Sequence, residues 1–174
     1  MRSGGFSAIG YLYRAIIGAA TLGALSLTST HAQGSSAACK LLQPSEIESA
    51  IGGKATGFSG SALGEASICA GQVGTSRVMI RVAQRKRNDG GALEKAGVEK
   101  LRKAGWRIEV KIEGDLTCST AIPPASSARL GFNTTCSVLR AGKVVAVEVG
   151  APSEKEMASM EATRKLVQKA VSRL

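Results

Sequence analysis

The chain has 174 residues, 23 Lys and Arg against 13 Asp and Glu, a formal net charge of +10, and 44% hydrophobic but only 3% aromatic residues. That length suits one domain behind a leader, and so few rings leave its core to Val, Ile, Leu, Ala and Met. The single histidine, His31, falls in the leader; the exported domain therefore excludes Ser-His-Asp and Cys-His nucleophilic sites and offers no imidazole to a metal.

Arg2 and Arg14 flank or precede an uncharged run over residues 15–27, and small residues Thr30 and Ala32 follow. The run is well short of the roughly 20 residues a spanning helix needs, and its layout is that of a secretory signal peptide. Cleavage after Ala32 is expected, giving a signal peptide over 1–32, a disordered lead over 33–38 and a single α+β domain over 39–174 that is periplasmic or secreted. The alternative is a lipoprotein anchored at Cys39, which Ala37 and Ala38 precede. Losing Arg2 and Arg14 leaves 21 basic residues against 13 acids, a balance of +8.

In chain order, Ser45 with Glu48 three residues on makes a capping box for a helix of about two turns, with Ile47, Ala50 and Ile51 as its apolar side and Gly52-Gly53 as its stop. Residues 53–65, rich in Gly and Ser, read as a loop. Residues 67–72 and 76–85 read as a strand pair turning near Gly74, in which Val78, Ile80 and Val82 alternate with Arg77, Met79 and Arg81. Residues 88–91 make a turn, and 92–104 a helix with Leu93, Ala96, Gly97, Leu101 and Ala104 on one stripe.

Residues 106–113 are the clearest strand: Trp106, Ile108, Val110 and Ile112 alternate with Arg107, Glu109, Lys111 and Glu113, the pattern of a half-buried sheet strand. Strands over 116–122 and 134–140 follow around a Pro/Ala/Ser loop, and 141–143 turn the chain into a strand over 144–150. Ser153 and Glu156 form a second capping box, opening a long helix that carries Met157, Met160, Leu166, Val167, Ala170, Val171 and Leu174. The predicted order is α-β-β-α-β-β-β-β-α, an antiparallel β-sheet flanked by helices in a small disulfide-bonded α+β domain.

Cys39, Cys69, Cys118 and Cys136 allow three connectivities. The sequential pairing, Cys39–Cys69 and Cys118–Cys136, is favoured because each pair brackets a short segment and the second clips two successive strands. With no Cys-x-x-Cys spacing, no metal site is expected. Residues 39–52, Cys-Lys-Leu-Leu-Gln-Pro-Ser-Glu-Ile-Glu-Ser-Ala-Ile-Gly, resemble the opening Cys-x-Leu-Leu-Thr-Pro-x-Glu-Val-x-x-Ala-Leu-Gly of a group of small exported bacterial domains of unknown function. This chain departs from that pattern at Gln43, where Thr or Ser is usual, and at Ala70-Gly71, where an aromatic follows the second cysteine. The resemblance implies an antiparallel sheet flanked by helices and a Cys39–Cys69 bond; it implies no activity.

Ten basic residues against Asp89, Glu94 and Glu99 lie between Arg77 and Arg107, which concentrates the excess charge in one strand-turn-helix unit. The expected function is a non-catalytic binding or accessory protein without cofactor. It would dock an anionic envelope component or an acidic protein through Arg77, Arg81, Arg85, Lys86, Arg87, Lys100, Arg102, Lys103 and Arg107. Trp106 is the one aromatic among these charges, too few for a base-stacking surface, so nucleic acid is not an expected partner. The alternatives are a carboxylate-dependent envelope hydrolase working with Glu109, Glu113 and Asp115, and a structural envelope protein.

Overall fold

Strands spread over residues 55–151 build a seven-stranded, wholly antiparallel sheet in the computed structural model, which describes residues 36–85 and 92–174. The strands are β1 (Ala55–Leu63), β2 (Ala66–Val73), β3 (Ser76–Gln84), β4 (Arg107–Glu113), β5 (Leu116–Ile122), β6 (Phe132–Arg140) and β7 (Lys143–Ala151), in the spatial order β1-β2-β3-β7-β6-β5-β4. The helices are α1 (Pro44–Ile51), α2 (Ala92–Lys103) and α3 (Met160–Val171). The expected leader, residues 33–35 of the lead, the turn at 88–91, Lys86 and Arg87 lie outside the described residues.

Two-residue turns set the registers. Between β6 and β7 both turn residues have positive φ, Ala141 at 48° and Gly142 at 74°, the geometry of a type I′ turn, whose hand matches strand twist. Directly opposed residues share a face, so the registers divide the sheet into two sides. On one side, Cys69, Ile80, Val147, Cys136 and Cys118 form a continuous row across five strands. All five are buried, as are Val78, Val149 and Thr134 in the row below and Val145, Val138 and Leu116 in the row above. Ile47 of α1, Leu166, Val167 and Ala170 of α3, and Ala38, Leu41 and Leu42 close this core.

Both expected disulfides are present. Cys39–Cys69 fixes the N-terminal 3₁₀ turn Ala37–Lys40 to β2. Cys118–Cys136 joins directly opposed residues of β5 and β6 with a Cα–Cα distance of 4.1 Å.

Five details differ from the sequence expectation. The Gly/Ser-rich segment contains strand β1, which pairs with β2 through a register shift between Thr56 and Ser59. Its residues are too small and polar to alternate, and it is held by backbone pairing and by the Phe58 ring, which occupies the space a side chain on Gly71 would need. Residues 36–38 are not a free lead: Ala38 is fully buried, its N–H donates to Ser67 Oγ at 3.0 Å, and Ser36 Oγ donates to the Ile68 carbonyl at 2.8 Å. Helix α1 starts at Pro44, whose fixed φ suits the first helical position; Glu46, rather than Glu48, accepts from the Gln43 N–H at 2.9 Å. Glu48 instead accepts from the Ala55 N–H at the start of β1, at 2.7 Å.

The last helix does not start at Ser153. That capping pair closes only the 3₁₀ turn Glu154–Glu156, after which the buried Thr134 hydroxyl donates to the Ala158 carbonyl at 2.7 Å and holds the chain extended. α3 then begins at Met160, with Ser159 Oγ accepting from the Ala162 N–H at 3.1 Å. Finally, β4 is an edge strand and is largely exposed rather than half-buried: Ile112 retains 70% and Val110 38% of its surface. Its register places Lys111 opposite Cys118, so its charged residues face the helix side and its apolar residues face the other.

Candidate functional site

The side of the sheet away from α1 and α3 has a different composition. Its three central rows are Ile108-Ala121-Asn133-Gly150-Arg77-Gln72, Val110-Ser119-Thr135-Glu148-Met79-Ala70 and Ile112-Thr117-Ser137-Ala146-Arg81-Ile68. None of these residues is buried, and eight of the eighteen are Ala, Gly, Ser or Thr. Four charges or amides stand out in the middle: Arg77 and Arg81 on β3, Glu148 on β7 and Asn133 on β6. Arg77 and Arg81 lie four residues apart on one strand face, a rise of about 13 Å. Glu148 is opposite Met79, between them.

A cavity of about 350 Å³ opens at one end of this face. Arg77, Met79, Asn133, Glu148 and Gly150 provide its sheet wall, and Arg129, Leu130 and Gly131, from the 3₁₀ segment Ala125–Leu130 and the glycine after it, the opposite side. Asn133 Oδ1 lies 3.0 Å from where a side chain on Gly150 would begin, so the glycine gives the amide its place against β7. Among the described residues, Arg77, Arg129 and Glu148 form no ion pair within 4.0 Å. The cavity therefore presents two guanidinium groups, a carboxylate and an amide with donor and acceptor capacity to spare.

The sequence-predicted basic face is divided by the topology. Arg77 and Arg81 share the uncovered face, and Arg85 is exposed just beyond the end of β3. Lys100, Arg102 and Lys103 are exposed on the last turn of α2; Arg102 pairs with Glu99 at 3.5 Å and donates to the Ile108 carbonyl at 3.2 Å. Arg107 is not part of a common patch: it lies on the helix side of β4, four strands away from β3, and pairs with Glu154 at 2.6 Å. Glu148, Asn133 and Arg129 were not expected as site residues. Glu148 had a signal, being the one charge in the run Val-Val-Ala-Val-Glu-Val-Gly; Arg129 and Asn133 had none, because only folding brings the β5–β6 connection to β3.

Glu109, Glu113 and Asp115 are exposed, and none lines either of the two cavities described in this section. Glu109 pairs with Lys111 at 3.3 Å, and Glu113 with Arg164 of α3 at 3.2 Å.

A second cavity, about 530 Å³, lies between α1 and α3 and includes Ser45, Glu46, Ser49, Ser159 and Lys165. Its charge is already neutralised. The Arg173 guanidinium forks onto both Glu46 oxygens at 2.6 Å, and Lys169 Nζ stands 2.8 Å from Oε1. The Arg173 bond, then the Gln43 N–H and Lys169, hold the Glu46 carboxyl well below the usual carboxylate range. This arrangement docks the C-terminal helix to α1. Among the described residues there is no cluster of three or more His, Cys, Asp or Glu suited to a metal, and no helix long and apolar enough to cross a membrane.

No protein-family model matches the chain, and no curated protein shows detectable similarity to it.

Proposed function

We propose that this protein is an exported, non-catalytic binding module that holds an anionic envelope component on the uncovered face of its sheet. The observation that carries the reading is the pair Arg77 and Arg81 on one strand face, beside a cavity with Arg129, Asn133 and Glu148, with the cavity charges unpaired among the described residues. Guanidinium groups on an exposed sheet face suit a phosphate-bearing surface: each contributes roughly 1 kcal/mol near an anionic membrane, and among the described residues neither Arg77 nor Arg81 has an ion pair to break first.

Export is part of the proposal. It is supported by the signal-like residues 1–32 and by the two disulfides, which persist in an oxidising compartment. The Cys39 sulfur is engaged with Cys69, which favours the soluble form over one lipidated at Cys39. The likeness of residues 39–52 to small exported bacterial domains agrees with this.

The test is co-sedimentation with vesicles containing phosphatidylglycerol across a salt series. Binding is expected to weaken steeply with salt and to disappear in Arg77→Glu/Arg81→Glu. Absent or salt-independent binding, or full binding by the double variant, removes the reading.

A further inference from the structure

We infer that β4 is a homodimer seam, pairing antiparallel with β4 of a second copy about a two-fold axis at Val110. Three observations converge on that strand. It is a sheet edge, paired with β5 alone among the strands. An exposed edge offers unpaired backbone groups to another chain. Two of its apolar residues are exposed on the face opposite α1 and α3, Ile112 at 70% and Val110 at 38%. And the sequence Arg107-Ile-Glu-Val-Lys-Ile-Glu113 is self-complementary when reversed.

With Val110 opposite Val110 of the second copy, Ile108 falls opposite Ile112, Glu109 opposite Lys111, and Arg107 opposite Glu113. Every charged position meets the opposite sign and every apolar position meets another, as an isologous two-fold interface requires.

The hydrogen-bond phase also fits. The 4.1 Å Cα–Cα distance of Cys118 and Cys136 is that of a non-hydrogen-bonded pair, so the Cys118 backbone groups turn towards β4. Lys111 lies opposite Cys118. The odd-numbered residues of β4 therefore bond inward to β5, while Ile108, Val110 and Ile112 direct N–H and C=O outward.

The Arg102 contact to the Ile108 carbonyl marks that outward direction. About six backbone hydrogen bonds would form, centred on Val110. The Glu109–Lys111 and Arg107–Glu113 positions become the close, non-hydrogen-bonded pairs, where opposed charges are nearest. Ile108, Val110 and Ile112 of both chains then form one apolar stripe. Among the described residues, α2 contacts β4, and Arg102, which bonds the Ile108 carbonyl, must release that end of the strand, while Arg107 and Glu113 exchange their partners Glu154 and Arg164 for each other.

A two-fold axis normal to the sheet leaves both uncovered faces on the same side, their β7 strands about 34 Å apart. The dimer stands independently of the proposed function; that it would present two anion sites together rests on that reading.

Sedimentation velocity from 1 to 200 µM on the purified protein tests the seam. The wild type is expected to dimerise with rising concentration, whereas Glu109→Lys and Lys111→Glu, which oppose like charges at both positions, should each remain monomeric. An equimolar mixture of those two variants should dimerise, because the seam then meets opposite charges although the pair inside each chain is repulsive. Arg102→Ala should dimerise more tightly than wild type, by several-fold. An intact mass with both disulfides oxidised serves as the check on folding. A wild type that is monomeric at 200 µM, or variants that stay monomeric when mixed, overturns the seam; loss of vesicle binding with dimerisation retained overturns only the anion reading.

Discussion

The two faces of the sheet are made from the same strands and differ in almost every physical respect. On the helix side, three rows of Val, Ile, Leu and cystine are buried, and Thr134 satisfies its hydroxyl on the Ala158 carbonyl. On the other side none of the three central rows is buried, small, apolar and charged residues are mixed, and the cavity charges are left unpaired among the described residues. The helix side holds the fold together; the uncovered side is free to vary in its chemistry without loss of the core. Adjacent residues of one strand, Ile80 and Arg81, belong to the two regimes.

The sharpest contrast is therefore between those neighbours. Ile80→Ala removes a fully buried side chain from the middle of the core row and should cost about 2–5 kcal/mol in a urea or guanidinium melt. Next, opening the Cys39–Cys69 bond with a double Ser substitution should cost about 3–4 kcal/mol for its 30-residue separation, measured by the same melts. Gly71→Ala places a methyl group 2.5 Å from Phe58 ring carbons, so ring and strand must shift; a loss of about 1–3 kcal/mol is expected.

A smaller effect concerns pH. The Glu46 carboxyl is depressed in the folded protein relative to its ordinary value of 4.5. A lowered folded-state pKa gives stability that is fully present above the unfolded value and lost as pH falls below it. The melting temperature should thus decline below about pH 4.5, and Glu46→Gln should be less stable at pH 7 with a flatter acid limb. Smallest in stability is Arg81→Ala, within about 0.5 kcal/mol of wild type. It should nevertheless weaken vesicle binding, and a mutant that melts normally but binds fully would erase the distinction between the faces.

Much of this fold was legible because short-range chemistry dictates it. Positive-φ turn residues, β-branched alternation over β3, β6 and β7, and cysteines flanking short segments gave elements and cross-links close to those observed. β1 was illegible because Gly and Ser carry no alternation signal; its strand exists through pairing with β2. The second capping box misled because Ser153 and Glu156 satisfy each other whether or not a helix follows, with Ser153 Oγ donating to Glu156 at 2.6 Å in a single 3₁₀ turn. The candidate cavity was half legible. The arginines of β3 stood out as charge, whereas Glu148, Asn133 and Arg129 join them only through pairing between strands distant in sequence.

β4 separates what each level determined. The sequence by itself determined that residues 107–113 form a strand with apolar and charged faces, because that alternation has no other regular solution. Only the tertiary structure decided which face looks where. Lys111 is registered opposite Cys118, and this turns the charged face towards Arg164 and Glu154, where it finds ion partners beyond the edge of the packed core. The isoleucines and Val110 are left outward, because direction in a sheet is inherited from the neighbouring strand and not chosen by the side chains of one strand alone.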